Sequence, residues 1–192
     1  MSAHSANQPL TDKPPQIIKA NSTAKLVNRL AALPSPLNTK LLSFVVGFKV
    51  PYVSTTGVKI KHLDHQRADF FIKNKRKSQN HLGGVHAVAA ALLAESATGL
   101  LIAMNVPDTS VAVIKTMTFN FAKRQQGDMR AEASLTPEQI AHIQGSEKGE
   151  TLVKVTLTDG SGREPIICEM LWAWVPKKRP QENTSPKEEE VN

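Results

Sequence analysis

The spacing of apolar and polar positions changes rhythm several times along this chain. Asn21 or Ser22 starts a stretch of helical spacing that Pro34 stops after Leu33, and PLNTKLLSFVVGF, residues 36–48, reads as a second helix. From Gly57, GVKIKHLD and RADFFIKNK alternate apolar and polar positions as two strands do. An alanine- and leucine-rich run from about Val85 to Met104 follows, and that composition favours a long helix. Period two then returns. SVAVIKTMTFNFAKR places Val111, Val113, Lys115, Met117, Phe119 and Phe121 on one face. GDMRAEASL does the same for Met129, Ala131, Ala133 and Leu135, and TLVKVTLT joins EPIICEMLWAWV through the turn DGSG. Between these strands TPEQIAHIQG is a short helix: Thr136 caps it, Pro137 comes first, Gln139 completes a capping box and Gly145 closes it.

The order is therefore helices, two strands, one long apolar helix, then four strands. It predicts an α+β domain in which an antiparallel sheet of about six strands wraps around one long central helix, with N-terminal helices added. No strand–helix alternation supports a parallel doubly wound sheet. The domain is expected over residues 21–176. Residues 1–20, polar and proline-containing, are expected to be a flexible N-terminal segment, and residues 177–192, nearly free of apolar side chains, a disordered tail.

Composition narrows the setting. Cys168 is the single cysteine, so no internal disulfide forms, and a reducing, cytoplasmic compartment fits. Met1–Leu10 lacks the charged and apolar regions of a secretory leader. The one candidate membrane span, Ala87–Val106, would bury Glu95 and Ser96 near the bilayer centre, which argues against it. The net charge of +7 is concentrated: residues 49–81 carry eight Lys and Arg against two Asp. Such a patch favours an anionic ligand. Nucleic acid is a poor fit, because aromatics are only 5% and none interleave with the patch as stacking platforms. No metal is expected, since His62 and His65, three apart on a strand, point to opposite faces.

The chemistry concentrates in QNHLGGVHAVAAALLAESATGLL, residues 79–101. Free N–H groups and the dipole at the helix start favour negative charge, and Gly83 and Gly84 allow a ligand close to the backbone. A carbonyl oxygen becoming an oxyanion is one candidate occupant. A plain glycine turn feeding a helix accounts for the same residues. Glu95 is an acid on an otherwise apolar helix, nine positions after His86. That separation is about 13 Å along the axis and roughly half a turn out of phase, so one helix cannot bring both to one reacting atom. If they cooperate, the second group comes from a second copy of the chain. A satisfied core histidine and an internally bonded glutamate are the structural alternatives.

The stretch NHLGGVHAVAAALLAESATG resembles the signature of hotdog-fold acyl-CoA thioesterases of the phenylacetate-pathway and hydroxybenzoyl-CoA type, and most of all an uncharacterised hotdog subgroup. Asn80, Gly83, His86 and Glu95 match the pattern in order and spacing, and the resemblance extends over Leu37–Val175. It implies a hydrolase in which Glu95 is general base or nucleophile, His86 and Asn80 orient the thioester, and the Ala87 amide donates to the oxyanion. It also implies a homodimer, or a tetramer built from it, with no cofactor beyond the coenzyme A of the substrate. Gly83 and Gly84 would border the substrate, and Lys73, Lys75, Arg76 and Lys77 would meet the coenzyme A phosphates, although a solvated turn between strand and helix accounts equally well for that basic run. The chain departs from the pattern twice. The usual His-Gly-Gly reads His86-Ala87-Val88, and Gly99 stands where related enzymes often carry a hydroxyl. A non-catalytic acyl-ligand binding protein on the same scaffold is the alternative.

Overall fold

The computed structural model describes residues 19–177, and the expectations for residues 1–18 and 178–192 lie outside the described residues. Three helices come first: α1 (Ser22–Ala31), α2 (Leu37–Lys49) and α3 (Pro51–Thr56). Strands β1 (Lys59–Leu63) and β2 (Arg67–Ile72) lead to the central helix α4 (Ala87–Ala103). Then follow β3 (Ser110–Phe121), β4 (Met129–Ser134), the short helix α5 (Pro137–Gly145), β5 (Gly149–Asp159) and β6 (Ile166–Pro176). The six strands form one antiparallel sheet in the order β1-β2-β4-β5-β6-β3. This is the wrapped, helix-centred α+β arrangement that the hydrophobic rhythm predicts.

Helix α4 has almost no polar face. Ala89, Ala90, Leu93, Ala94, Ala97, Leu101 and Ile102 are all buried. Small residues on both sides make that possible, because Ala131 and Ala133 of β4 are buried too. A close approach joins α4 to β6. A Cβ on Gly99 would stand 2.7 Å from the Trp172 ring, so only glycine fits there without displacement. The Trp172 indole N–H donates to the Thr98 hydroxyl at 2.9 Å, and that hydroxyl donates to the Ala94 carbonyl at 2.8 Å. Trp172 is thus held in place by a satisfied buried hydrogen bond. Among the described residues, no helix is long and apolar enough to cross a membrane.

Two features differ from the reading of the sequence. Helix α3 was absent from it, although Pro51 at its first turn and left-handed Gly57 (φ 81°) after its end are the expected punctuation. Its interior, Val-Ser-Thr-Thr, has low helix propensity, and packing against α2 decides the outcome. The second difference is the face assignment on β3. Ile114 lies opposite Trp172 and Thr116 opposite Leu171, so Lys115 is an extra residue in a bulge. Val111 and Val113 therefore share the outer face with Val175 and Ala173. Met117, Phe119 and Phe121 share the inner face with Met170, Cys168 and Ile166. The six do not line one face, because the bulge reverses the alternation halfway along the strand.

Gly99→Ala is expected to lower stability by about 1–3 kcal/mol, the usual range for overpacking, despite the better helix propensity of alanine. Gly145→Ala, at a position with nothing within 4 Å of its added methyl, should be neutral or slightly stabilising. Thermal melts of both variants beside the parent check this. Equal midpoints would mean that Trp172 yields freely.

Candidate functional site

The residues before α4 build a closed loop. The His86 N–H donates to the Ser78 carbonyl at 2.7 Å, and Gln79 and Val85 form an isolated antiparallel bridge. Inside that bridge the Asn80 N–H reaches Gly84 O at 2.8 Å, and Gly83 turns the chain with φ 76°. The Asn80 side-chain oxygen accepts from the Leu82 N–H at 2.9 Å and the Gly84 N–H at 3.1 Å. That oxygen is spent on the loop, which leaves the carboxamide NH2 as the part of Asn80 to meet a ligand. Arg124 donates to Leu82 O at 2.7 Å, Asn74 to Gly83 O at 3.0 Å, and the Gln125 carboxamide to Val85 O. Gly83 is open, with nothing within 4 Å of where a Cβ would stand, whereas Gly84 lies under the Gln125 carbonyl, 3.4 Å from where its Cβ would be. Gly83 is held to glycine by its positive φ, whereas a Cβ at Gly84 would make only ordinary contacts with Gln125.

His86 is the N-cap of α4. Its Nδ1 accepts from the Val88 N–H at 3.1 Å, which puts the proton of a neutral ring on Nε2. His86 itself is exposed. With Val88 N–H engaged, the first helical amide, on Ala87, has no intrahelical acceptor and opens outward, as helix geometry requires. Asn80, Gly83, Gly84, His86 and Ala87 therefore gather at one end of α4.

Glu95 lies about 2.5 turns further along. It opens into a cleft of about 400 Å³. Val46, Val50 and Val53 of the α2–α3 corner form one wall, and Gly99, Leu100 and Ala103 continue the α4 side. The β3 edge from Val111 to Ile114, with Trp172, completes the lining. Among the described residues the Glu95 carboxylate forms no ion pair, and the neighbouring Ser96 hydroxyl donates to it at 3.3 Å. Burial pushes the Glu95 carboxyl above its ordinary value, and the Ser96 hydroxyl opposes that only in part. A half-buried, unpaired carboxylate with a raised pKa is suited to accept a proton from a bound water.

The two halves of the predicted constellation do not share a cavity in one chain. The glycine turn borders a separate hollow of about 320 Å³, formed with Leu82, Arg124 and Gln125–Gly127. Lys73, Lys75, Arg76 and Lys77 are all exposed, around a short 3-10 turn at Arg76–Ser78. Lys77 also has a local role, since its ammonium group lies 2.9 Å from where a Gly57 Cβ would be, at the C-terminal end of α3. A cation there is favoured by the helix dipole. Reading the sequence missed Val46, Val50, Val53 and Trp172 as cleft residues, and Arg124 and Gln125 as supports of the loop. They come from elements far apart in the chain, and nothing in their local pattern distinguishes them from core. Cys168 has its thiol pushed up to about 11 by burial and stays protonated. His62 pairs with Asp64 and His65 with Asn105. Among the described residues no three His, Cys, Asp or Glu side chains are grouped as metal ligands.

Because the folded protein favours neutral Glu95, the associated stability is complete below the ordinary carboxylate pKa and is lost as pH rises through the raised one. Glu95→Gln, which keeps the shape without the charge, should melt with the parent in acid and above it near neutral pH. Melting curves at both pH values check this, and a variant less stable than the parent at neutral pH would assign Glu95 a structural role.

Known structures share this architecture. A Pseudomonas aeruginosa protein of unknown function, described as a probable thioesterase, is 24% identical, with a TM-score of 0.65 over 76% of this chain and 97% of that one. A thioesterase family protein from Silicibacter pomeroyi is 15% identical, with a TM-score of 0.57 over 70% and 96% of the two chains. A Haemophilus influenzae thioesterase is 12% identical, with a TM-score of 0.55 over 68% and 87%. At these identities the likeness is one of fold, and the fold is the hotdog fold. No curated protein matches the chain. The profile of a family described as a domain of unknown function, DUF4442, matches residues 38–175, which includes α4, the glycine turn and all of the sheet but the last residue of β6, and the chain belongs to that family.

Proposed function

We propose that the protein is a thioester hydrolase acting on acyl-coenzyme A, with its site shared between two copies of the chain. The observation that carries this reading is Glu95, an unpaired carboxylate with a raised pKa at the mouth of an apolar cleft. Glu95 takes a proton from water as the water oxygen bonds to the thioester carbonyl carbon. The Ala87 N–H at the start of α4 holds the resulting oxyanion. The tetrahedral intermediate then collapses, the carbon–sulfur bond breaks, and the proton on Glu95 passes to the departing thiolate. His86 and the Asn80 carboxamide orient the substrate, and Gly83 leaves room for it. The names of the thioesterases that share the fold support the same class of reaction.

The second copy is needed because α4 holds its own start and its own Glu95 too far apart for one reacting atom. Strand β3 supplies the means. It is the last strand of the sheet, 12 residues long, and its outer edge is unpaired among the described residues. Long apolar edge strands pair with other chains unless blocked. Val88, Met117 and Phe121 expose 52%, 46% and 50% of their surface, although Met117 and Phe121 lie on the inner face. Antiparallel pairing of two β3 strands would cover them and bring each Glu95 toward the other copy's glycine turn.

Glu95→Gln should lower kcat by about 10²-fold or more, the range for loss of a general base. Mixing His86→Ala chains with Glu95→Ala chains should restore part of the activity, because one of the two sites in such a heterodimer is intact. Thiol release from acyl-coenzyme A follows both. An active monomer by sedimentation would defeat the shared site, and full activity of Glu95→Gln would defeat the role of the acid.

The exposed basic run is assigned to the coenzyme A phosphates, far from the reacting carbon, so its contribution should be equal in ground and transition states. Replacing Lys75 and Arg76 with Ser should raise KM and leave kcat nearly unchanged. The parent KM should rise with salt, and the variant's should rise less. A short thioester without the nucleotide should respond to neither change. Equal responses from both substrates would assign the run to another role.

A further inference from the structure

We infer that the cleft beside Glu95 is a channel for a straight aliphatic acyl chain, laid along α4 from Glu95 to Ala103, and that Ala103 together with the α2–α3 corner sets the longest chain it accepts. This rests on the reading of Glu95 as the residue at the thioester.

The direction of the channel follows from helix geometry. Glu95, Ser96, Gly99, Leu100 and Ala103 all line the cleft, and they form one continuous stripe of α4. From Glu95 to Ala103 the stripe is about 12 Å long. Strand β3 runs beside it in the opposite sense. Its Ile114 lies opposite Trp172, which touches Gly99, and its Val111 is close to the strand start that follows α4. The cleft is therefore long and one-directional, with the acid at one end.

Three contacts shape its walls. Gly47 of α2 is buried, and a Cβ there would meet the Ser54 Cβ at 3.0 Å, so α2 and α3 fold tightly about Val50. That corner presents Val46, Val50 and Val53 to the cleft as one aliphatic wall. On the opposite side the bare backbone of Gly99 leaves space that the rigid, hydrogen-bonded Trp172 ring closes. Apart from Glu95 and Ser96 near the acid end, no residue lining the cleft has a polar side chain except the indole N–H, and that is already bonded to Thr98. An aliphatic groove about 12 Å long matches an alkyl chain better than a planar ring, which would leave the far half empty.

The test uses S-alkyl coenzyme A thioethers of increasing straight chain length, which bind without being hydrolysed, and a phenylalkyl thioether of matched carbon count. Binding to the full chain is measured by calorimetry. Affinity should rise about fourfold per methylene and then level off once the chain reaches Ala103. The phenylalkyl compound should bind more weakly than its straight counterpart. Ala103→Phe, which fills the far end, should lose about tenfold more affinity for the longest thioether than for the shortest, as expected for two or more displaced methylenes. Ala103→Leu, a smaller addition at a helix end, should act in the same direction and serves if the larger variant misfolds. Chain-length-independent affinity, equal losses for short and long thioethers, or tighter binding of the phenylalkyl compound would each overturn the channel. Thiol release from the matching thioesters separates the two readings. Length-dependent binding without hydrolysis keeps the channel and removes the hydrolase, and hydrolysis without length dependence does the reverse.

Discussion

The structure depends on how closely a sheet can approach a helix that it almost surrounds. Helix α4 meets the sheet through alanines, and at one point through no side chain at all, where Trp172 of β6 rests on Gly99. Every larger residue at these positions would push the sheet outward and open voids that interiors do not tolerate. Because the contact is so close, α4 is a rigid rod fixed in azimuth, and the direction in which each of its side chains points is fixed with it. The face toward β4 and β6 is filled. The face toward the β3 edge is where the sheet ends, and Glu95 points there, bordered by the α2–α3 corner instead of by strands. A carboxylate on any other face of this helix would be buried without solvent or partner, at a cost of several kcal/mol.

That rigidity also explains the division of the candidate site. The start of α4 and Glu95 are held on one rod about 13 Å apart, and no local adjustment can close that distance. The loop before the helix is equally constrained. Its carbonyls accept from Arg124, Asn74 and Gln125, and its amides are tied to Asn80 and Gly84. The connection that supplies Arg124 and Gln125 is itself fixed, since Asp159 at the end of β5 accepts from the Gln126 N–H at 2.9 Å. Both ends are thus pre-formed, and under the proposed reading what joins them is an assembly contact and not a motion within the chain.

How much of this the sequence disclosed follows a physical division. Helix α4, the capping box at Thr136 and the buried face of β4 were legible because local pattern and tertiary role coincide: Met129, Ala131, Ala133 and Leu135 alternate, and all four are buried. The face of β3 was misread because a bulge at Lys115 changes phase without changing composition, and alternation carries no mark of it. Helix α3 was missed because its propensity is poor and its reason to exist lies in α2. The candidates Asn80, Gly83, His86 and Glu95 could be named from the sequence because they are clustered there. The valines of the cleft were not found, because a wall assembled from three separate elements looks in sequence like ordinary core.

The two departures from the thioesterase pattern can now be given a common meaning. Alanine and valine in place of two glycines after His86 leave the backbone donor intact: the Val88 N–H is taken by His86 Nδ1, and Ala87 still presents its N–H at the helix start. What the substitutions add is Cβ bulk, half-buried at Ala87 and exposed at Val88, beside the place where a thioester would enter. At Gly99 the missing hydroxyl coincides with the Trp172 ring, which occupies that position and sends its own N–H to Thr98. Each departure therefore changes the shape and polarity of the surroundings, and neither touches the acid or the amide. Under the proposed reading, a chain that keeps those two groups while exchanging a polar contact for an indole wall has altered which acyl group fits and has kept the groups that would attack its carbonyl.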